Sequence, residues 1–325
     1  MAYAEMGTPV GSEFLLERYP FGVSSATIRS VMAELENLGL ITHPHTSAGR
    51  VPTDRGYRYY VDLLMQGSRV LPNEEEAMDS LIQEKPGGPE EILDEAIRIL
   101  SLLSHEVGVA LVPELAHGSF RHLELILVGS QELLVVLISY EGVVRHARVE
   151  LKRSAQEERL DQAQQFLNDE LQGLSLAQAY AYLPTAQEEW ARVGEDLFSL
   201  TQLMPLFQNE GSVILEGTRW ILEAPEFRDV ERMRRLMQGL ERRTELAEIL
   251  RKDVAADGVK VHIGSENRDT SLTDCTIIGA PYRLGGGVTG TIGIIGPTRL
   301  DYPRVTALVG RMSQVVTQIF QEMNG

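Results

Sequence analysis

Cysteine is almost absent from this sequence. Cys275 is the single cysteine among 325 residues, which excludes an internal disulfide and any zinc site built from several cysteines. It lies in a strand-like pattern with no histidine near it in sequence, so we expect a small buried residue rather than a nucleophile. No paired carboxylates, metal-spaced cluster or Ser/His/Asp order stands out elsewhere. We therefore expect neither an enzyme nor a cofactor.

Long apolar runs are also missing. The longest, such as Leu133–Ile138, are far shorter than the roughly 20 residues that a membrane-spanning helix needs. No basic leader followed by an apolar segment opens the sequence, so we expect a cytoplasmic protein without a membrane partner. With 325 residues, of which 43% are hydrophobic and 24% charged, the chain has room for two or three globular domains.

Positive charge is scarce. Lysine and arginine number 30 against 47 acidic residues, a formal net charge of −17, which argues against a simple nucleic-acid binder. The negative charge is unevenly distributed along the chain. Between Leu40 and Arg69 there are four arginines and only two acidic residues, Asp54 and Asp62. Any contact with nucleic acid would be local and weakly basic, and a dimer would double it. The arginines of residues 228–243 alternate with acids, a pattern that favours an ion-paired solvated helix over a second such site.

Residues 24–39 predict a helix with an unusual outer face. Ser24 and Ser25 offer N-cap oxygens, and Gly39 is a natural stop. Helical spacing predicts a buried stripe of Ile28, Val31, Met32, Leu35 and Leu38. The opposite face carries small or uncharged side chains, namely Ala26, Ser30, Ala33 and Asn37, with Thr27 and Arg29 beside them. Such a face lets the backbone approach another surface closely, either a DNA major groove or a second protein.

The flanking sequence favours DNA. Residues 9–19 predict a short helix, and the glycine-bearing connection 20–23 suits a helix-turn-helix. Residues 40–45 and 50–52 predict two short edge strands of a hairpin, which completes the layout of a winged helix. In the major groove we expect Ser24, Ser25, Ala26, Thr27, Arg29 and Ser30. At the wing we expect contacts to the DNA backbone or minor groove from His45, Thr46, Ser47, Gly49 and Arg50.

Two weaker motifs have ordinary explanations. Gly285, Gly287 and Gly290 satisfy the spacing of a dinucleotide-binding loop, but strand-forming residues follow where a helix is needed. We expect a hairpin loop there. His43 and His45 have no carboxylate or cysteine within the wing to complete a metal site, so phosphate or a partner protein is the better alternative.

The rest of the chain mixes helices and strands. Helices are predicted at 73–84, 89–105, 154–173, 174–208, 227–253 and 302–323, with a hinge at Gly87-Gly88. Strands are predicted at 108–112, 123–128, 133–139, 143–152, 212–215, 218–222, 259–264, 275–282 and 289–295. The three strands between 123 and 152 should form an antiparallel meander. Strands on both sides of a helical block indicate one α+β domain interrupted by an insertion.

Several strings resemble the heat-inducible transcription repressor HrcA family. They are Pro-Val-Gly-Ser (9–12), Ser-Ser-Ala-Thr-Ile-Arg (24–29), Met-Ala-Glu-Leu-Glu (32–36), the long string from Pro44 to Arg58, and two C-terminal strings at 263–267 and 295–302. The resemblance covers nearly the whole chain. This sequence differs from many members of the family at Ser30-Val31, where they carry Asn-Glu, so a base contact at this position can differ.

The resemblance implies an α+β protein. It implies an N-terminal winged helix-turn-helix, its first helix truncated, then a GAF-like α/β body with an inserted α+β dimerisation domain. The implied domains are 1–70 for DNA binding, 71–90 as linker, 91–153 with 226–325 as the GAF-like domain, and 154–225 as the insertion. Because so little precedes the first motif, we expect the true start to lie upstream of Met1.

The implied function is repression of chaperone operons. By resemblance, a homodimer binds double-stranded DNA at an inverted-repeat operator, CIRCE, and the GroE chaperonin helps it to reach its binding-competent form. Two alternatives stay open. A small-molecule-responsive regulator would use the same reader with a ligand in its GAF-like body, although fold alone does not establish this. A scaffold without DNA would keep the winged helix for protein contact.

Overall fold

The structure is a computed structural model of mixed α/β architecture. It describes residues 2–44, 49–65, 69–84, 88–112, 118–140, 142, 144–152, 154, 157–193, 198–207, 212–254, 258–267, 269–285 and 288–324. Helices and strands alternate through these segments, as the sequence predicts. In these segments no helix is both long and apolar enough to cross a bilayer.

Residues 2–64, the N-terminal unit, combine short helices with a two-stranded hairpin. The elements are helices α1 (Ala2–Met6), α2 (Ser12–Arg18) and α3 (Ser25–Asn37), strands β1 (Ile41–Thr42) and β2 (Val51–Pro52), helix α4 (Asp54–Tyr59) and a π-helical turn at Tyr60–Leu64. Strands β1 and β2 pair antiparallel. The two helices and the hairpin predicted here are therefore confirmed.

Helix α3 begins where the capping residues predict it, but it buries less than predicted. The Ser24 hydroxyl accepts a hydrogen bond of 3.1 Å from the Thr27 amide. Of the predicted stripe, Ile28 and Met32 are buried and Leu35 is half-buried. The prediction is wrong for Val31 and Leu38, which are 49% and 52% exposed. The neighbours of α3, chiefly α2 and β1, cover a narrower side of the helix than its apolar periodicity suggests.

Two glycines let the backbone of the N-terminal unit close tightly. A Cβ atom on Gly49 would lie 2.4 Å from the carbonyl carbon of Val10, and one on Gly56 would lie 2.0 Å from the carbonyl oxygen of Leu40. Beside Gly49, Val10 and Arg50 exchange two backbone hydrogen bonds of 2.9 Å. The contacts at Gly49 join the segment before α2 to the hairpin, and the contact at Gly56 joins α4 to the residue before β1. A side chain at either glycine would collide with the facing backbone.

The remaining residues hold two further sheets and nine helices within the described segments. After α5 (Pro72–Glu84) and α6 (Pro89–Ser104), the strands are β3 (Val107–Leu111), β4 (Phe120–Leu127), β5 (Glu132–Ser139), β6 (Val144–Glu150), β7 (Val213–Glu216), β8 (Lys260–Ile263), β9 (Cys275–Gly285) and β10 (Val288–Pro297). The other helices are α7 (Glu157–Leu171), α8 (Leu176–Val193), α9 (Met204–Phe207), α10 (Thr218–Glu223), α11 (Val230–Glu241), α12 (Arg243–Val254) and α13 (Tyr302–Asn324).

Five strands form the sheet of the body, in the order β7-β3-β10-β9-β8, and every pair is antiparallel. Helices α6 and α13 pack on one face, and α10, α11 and α12 pack on the other. Both faces are covered, so every residue of β3 is buried. Cys275 is buried in β9 as predicted, and burial raises the pKa of its thiol. A protonated buried thiol is a poor nucleophile.

Strands β9 and β10 form an antiparallel hairpin that pairs Gly285 with Val288. The predicted hairpin is therefore confirmed, because a strand and not a helix follows the glycines. Gly287 lies outside the described residues, and so does Gly87 of the predicted hinge. Gly88 precedes α6 as its N-cap residue.

Strands β4, β5 and β6 form a separate antiparallel sheet, the predicted meander. Together with α7, α8 and α9 they make up residues 118–207, which we call the meander unit. The sheets do not divide where the predicted domains divide. Residues 120–150, predicted with the body, pair among themselves, and β7, predicted within the insertion, pairs with β3 of the body. Apolar patterning marks a strand without specifying its partner.

One predicted strand is wrong. Residues 218–222 belong to helix α10. Gly217, with φ of 74°, turns the chain sharply after β7, and the helix starts at the next residue. The single helical region predicted at 227–253 is two helices that meet at Arg242.

Polar contacts from α4 join the N-terminal unit to the body. Arg58 pairs with Glu266, to which its Nε donates a hydrogen bond of 2.8 Å. The Asp54 carboxylate accepts a hydrogen bond of 2.9 Å from the Ser265 amide. The ring of Tyr57 is buried in the body core. Helix α4 is therefore held on the turn that follows β8.

A second junction forms at Arg299. Its Nη1 donates a hydrogen bond of 2.7 Å to the carbonyl oxygen of Ala4 in α1, and its guanidinium pairs with Glu226. Glu106 lies near this pair. Burial, followed by repulsion from Glu226, raises the pKa of Glu106 to about 8, although Arg299 opposes the shift.

Glu106 should make the stability of the protein fall as the pH rises. Its folded pKa of about 8 exceeds the ordinary value of 4.5, so between those values the folded state holds a proton that the unfolded state has lost. The free energy of unfolding should therefore decrease from about pH 5 to pH 8. Glu106→Gln should flatten this slope and stabilise the protein above pH 7, as measured by urea unfolding across that range. Glu17→Gln, at an exposed position on α2, is the control; an equal slope in wild type and Glu106→Gln would contradict the assignment.

Candidate nucleic-acid interface

The outer face of α3 lies open to solvent. Among the residues predicted for the major groove, Ser25 is half-buried, and those exposed are Ser24, Ala26, Thr27, Arg29 and Ser30. Ala33 and Asn37 further along this face are exposed as well. The face therefore presents methyl groups, hydroxyls and one amide, with Arg29 as its one cation within the described residues of α3. This composition lets a second surface approach the helix backbone closely.

Ser24 and Thr27 are partly engaged with each other. Besides accepting from the Thr27 amide, the Ser24 hydroxyl lies 2.9 Å from the Thr27 hydroxyl. Ser24 thus serves first as the N-cap of α3. Capping leaves the Thr27 hydroxyl at the helix surface, where it can still exchange a hydrogen bond with another molecule.

Arg29 does not extend freely into solvent. Its Nε donates a hydrogen bond of 3.3 Å to the hydroxyl of Ser12, and its Nη2 donates one of 3.2 Å to the hydroxyl of Ser25. Ser12 is the first residue of α2 and was not among the predicted site residues. Its place in the string 9–12, at the start of the helix before α3, is the sequence signal that points to it.

The hairpin that the sequence predicts to be a wing is only partly described. His45, Thr46 and Ser47 lie outside the described residues. Gly49 is packed against Val10, and Arg50 turns inward rather than outward. The Arg50 Nη2 lies 3.1 Å and its Nε 3.2 Å from the Glu36 carboxylate, and its side chain is 19% exposed. Gly49 therefore lets the hairpin approach the segment before α2, and Arg50 joins the hairpin to α3. The sequence indicated neither contact.

The Glu36 carboxylate contacts two basic side chains of the hairpin region, His43 and Arg50. His43, which follows β1, places its Nε2 3.5 Å from the same carboxylate oxygen that Arg50 contacts. The predicted partner of His43, a phosphate or another protein, is thus replaced in this structure by an acid of α3. Glu36 joins the C-terminal part of α3 to both strands of the hairpin.

Unpaired positive charge is concentrated at two positions of the N-terminal unit. Arg18 pairs with Glu5, while Arg50 and Arg58 pair as described above. Within the described part of residues 2–64, Arg29 and Arg55 form no ion pair, and both are exposed. Arg29 is the one that lies on α3. The unit therefore offers an uncompensated cation on its most open helix face.

Comparison with known proteins finds relatives that carry the same family name and match nearly the whole chain. Residues 90–306 match the family model described as the HrcA protein C terminal domain. The heat-inducible transcription repressor HrcA of Syntrophobacter fumaroxidans is 34% identical over 326 residues, covering 98% of this chain and 94% of that protein. The protein of the same name from Desulforamulus reducens is 34% identical over 318 residues, covering 96% of this chain and 91% of that one.

A solved crystal structure shares the fold. It is that of a hypothetical protein, with a TM-score of 0.63 and 22% sequence identity, and the match covers 99% of this chain and 95% of that chain. At this identity the likeness concerns the fold alone. It shows that the arrangement of the N-terminal unit, body and meander unit has a counterpart among solved structures.

Removing Arg50 should weaken the fold of the N-terminal unit. Arg50→Ala breaks a half-buried ion pair with Glu36 and should lower the free energy of unfolding by about 1 kcal/mol. Arg55→Ala, which removes an exposed arginine without an ion pair, should leave stability nearly unchanged. Urea unfolding and hydrogen exchange of α3 amides would measure both. The loss should shrink in a Glu36→Ala background; an unchanged stability combined with weaker DNA binding would instead show that Arg50 faces DNA.

Proposed function

The chain belongs to the HrcA family of heat-inducible transcription repressors, and we propose that it represses chaperone operons by binding their DNA as a dimer. The observation that carries this proposal is the open, uncharged face of α3, with Arg29 at one side. A helix with small exposed side chains fits the major groove, which is about 12 Å wide and accepts one helix. The family membership supports a role in repression, and the open face of α3 supports DNA as the binding partner.

In this proposal the N-terminal unit is a winged helix. Helix α2 lies before the reading helix α3, and the hairpin β1–β2 supplies the wing. Ser25, Ala26, Thr27, Arg29 and Ser30 face bases and nearby phosphates, because recognition helices use their first turns for this contact. Tip residues His45, Thr46 and Ser47 reach the backbone or the minor groove. Gly49 and Arg50 support the tip from behind, in keeping with their contacts to Val10 and Glu36.

The operator is an inverted repeat, CIRCE, and the repressor is a homodimer. Two-fold symmetry lets each subunit occupy one half-site. We assign the body to a GAF-like domain and dimerisation to the meander unit. The outward face of its sheet supports that assignment, since Ile126 and Val144 are 43% and 56% exposed there and Leu134, Val136 and Ile138 are half-buried. Exposed aliphatic patches of this kind mark protein interfaces.

The GroE chaperonin modulates the repressor, acting with it in the cytoplasm. The thin core of the N-terminal unit supports this idea. In its described residues the buried apolar side chains are Val10, Ile28, Met32 and Tyr57, and Tyr57 packs with the body. A unit with so little core has alternative arrangements close in energy, and a chaperonin that favours the folded one raises the active fraction.

Arg29 should be needed for operator binding. Arg29→Ala should weaken binding to an inverted-repeat operator by about 1–3 kcal/mol if the guanidinium reads a base edge in two hydrogen bonds. Fluorescence anisotropy with the operator and with a random duplex of equal length gives the comparison. Arg55→Ala is the matched control. A loss equal on both duplexes would restrict Arg29 to phosphate, and a wild-type protein that binds neither duplex would refute the repressor function.

Chaperonin should increase the share of protein that binds the operator. Purified repressor, warmed briefly and returned to 25 °C, should shift more operator in a gel when GroE and ATP are present than when serum albumin replaces them. The random duplex should show no such gain. Equal shifts with chaperonin and with albumin would remove chaperonin from the proposal while leaving operator binding intact.

A further inference from the structure

Arg29 is oriented by hydroxyl groups from two different helices. Its Nε donates to Ser12 and its Nη2 to Ser25, at 3.3 and 3.2 Å. The two hydroxyl oxygens are themselves 3.3 Å apart. Ser25 is one helical turn before Arg29 on α3, whereas Ser12 lies 17 residues earlier in sequence, on α2. The guanidinium therefore spans the junction of α2 and α3 instead of following its own helix.

This orientation leaves a defined part of the guanidinium free. The group carries five N–H bonds in a rigid plane. Ser12 and Ser25 accept from the side edge, formed by Nε and one N–H of Nη2. The end edge, formed by Nη1 and the other N–H of Nη2, stays available. Two parallel N–H bonds on one edge match a pair of acceptors, as on a guanine base or a phosphate.

The acceptors that hold Arg29 are neutral, which sets it apart from its neighbours. Arg18, Arg50 and Arg58 are each paired with a carboxylate, which compensates their charge. Hydroxyls fix a direction while leaving the full positive charge. An arginine side chain carries about 2 kcal/mol of rotamer entropy, so a guanidinium that is already directed loses less on binding.

We propose that Ser12 is a positioning residue for Arg29, directing the free edge of the guanidinium toward a pair of acceptors on duplex DNA. The proposal rests on the proposed DNA-binding function and adds to it a residue outside the reading helix. Ser12 acts through Arg29 and makes no DNA contact of its own. Base edge and phosphate share the acceptor chemistry, and the experiment separates them.

The test is a double-mutant cycle on the full chain. Ser12→Ala should weaken operator binding about threefold to tenfold, the range for the net contribution of one ordinary hydrogen bond. In an Arg29→Ala background the same change should have almost no further effect. Ser12→Thr keeps the hydroxyl and should bind nearly as wild type does. Alanine is well tolerated at the first position of a helix, so the thermal unfolding midpoint of Ser12→Ala should stay close to that of wild type.

One control variant and the salt dependence complete the experiment. Ser80→Ala removes a hydroxyl that bonds only within α5 and should not change affinity. A Ser12→Ala loss confined to the operator assigns the free edge to a base. A loss shared with random DNA, with a salt slope lower by about one unit, assigns it to phosphate. Either result supports the positioning role.

The outcomes that overturn the proposal are distinct from failure of the repressor function. If wild type binds the operator but the losses from Ser12→Ala and Arg29→Ala add, Ser12 does not act through Arg29 and the positioning role is wrong. If wild type binds no DNA, both the proposed function and this inference are wrong. An equal loss in Ser12→Thr and Ser12→Ala also contradicts a role for the hydroxyl.

Discussion

Helix α3 depends on the burial of Ile28 and Met32, because its opposite face stays open. Full burial of one such side chain contributes about 1.5–3 kcal/mol, so two anchors supply little toward ordering a whole helix. Backbone hydrogen bonds of 2.9 Å between Val10 and Arg50 join the hairpin to the segment before α2. The Arg50 side chain pairs with Glu36 near the C-terminal end of α3 and so joins the hairpin to that helix. The hairpin therefore supports α3.

Local signals made α3 predictable, and non-local contacts account for the errors. The cap at Ser24, the stop at Gly39 and the apolar spacing act within a few residues, so sequence alone reveals the helix and its open face. Val31 and Leu38 fit the same spacing, yet they are exposed because burial also requires a neighbour on that side. The prediction that Arg50 contacts DNA rests on its chemistry, an arginine beside a glycine-bearing tip, and it did not include an ion pair. Its partner Glu36 is 14 residues away in sequence, and no local pattern reveals it.

Sheet membership is hard to predict from sequence for the same reason. The strands between 120 and 150 were correctly predicted to form a meander, but their separation from the body sheet depends on pairing across more than a hundred residues. Strand β3 pairs with β10, its partner far along the chain, while β4 begins a new sheet only a few residues after β3 ends. Gly217 shows the converse case. This one residue with positive φ ends β7, and the residues predicted as a strand at 218–222 form helix α10 after it.

The position of α3 is set by the body, since the N-terminal unit is attached at two separate points. Arg299 holds the carbonyl of Ala4, and α4 is held through Glu266 and Ser265 with Tyr57 in the body core. Two attachments fix an orientation, which one flexible linker cannot do. In the symmetric dimer that we propose, the spacing of the two α3 helices is then a property of the bodies, and operator binding would require it to match half-sites about 34 Å apart or a multiple of that distance. The charged contacts are partly exposed and individually weak, so small changes in the body are enough to shift that spacing. Under the proposed function, such a change alters operator binding while the N-terminal unit and the body both stay folded.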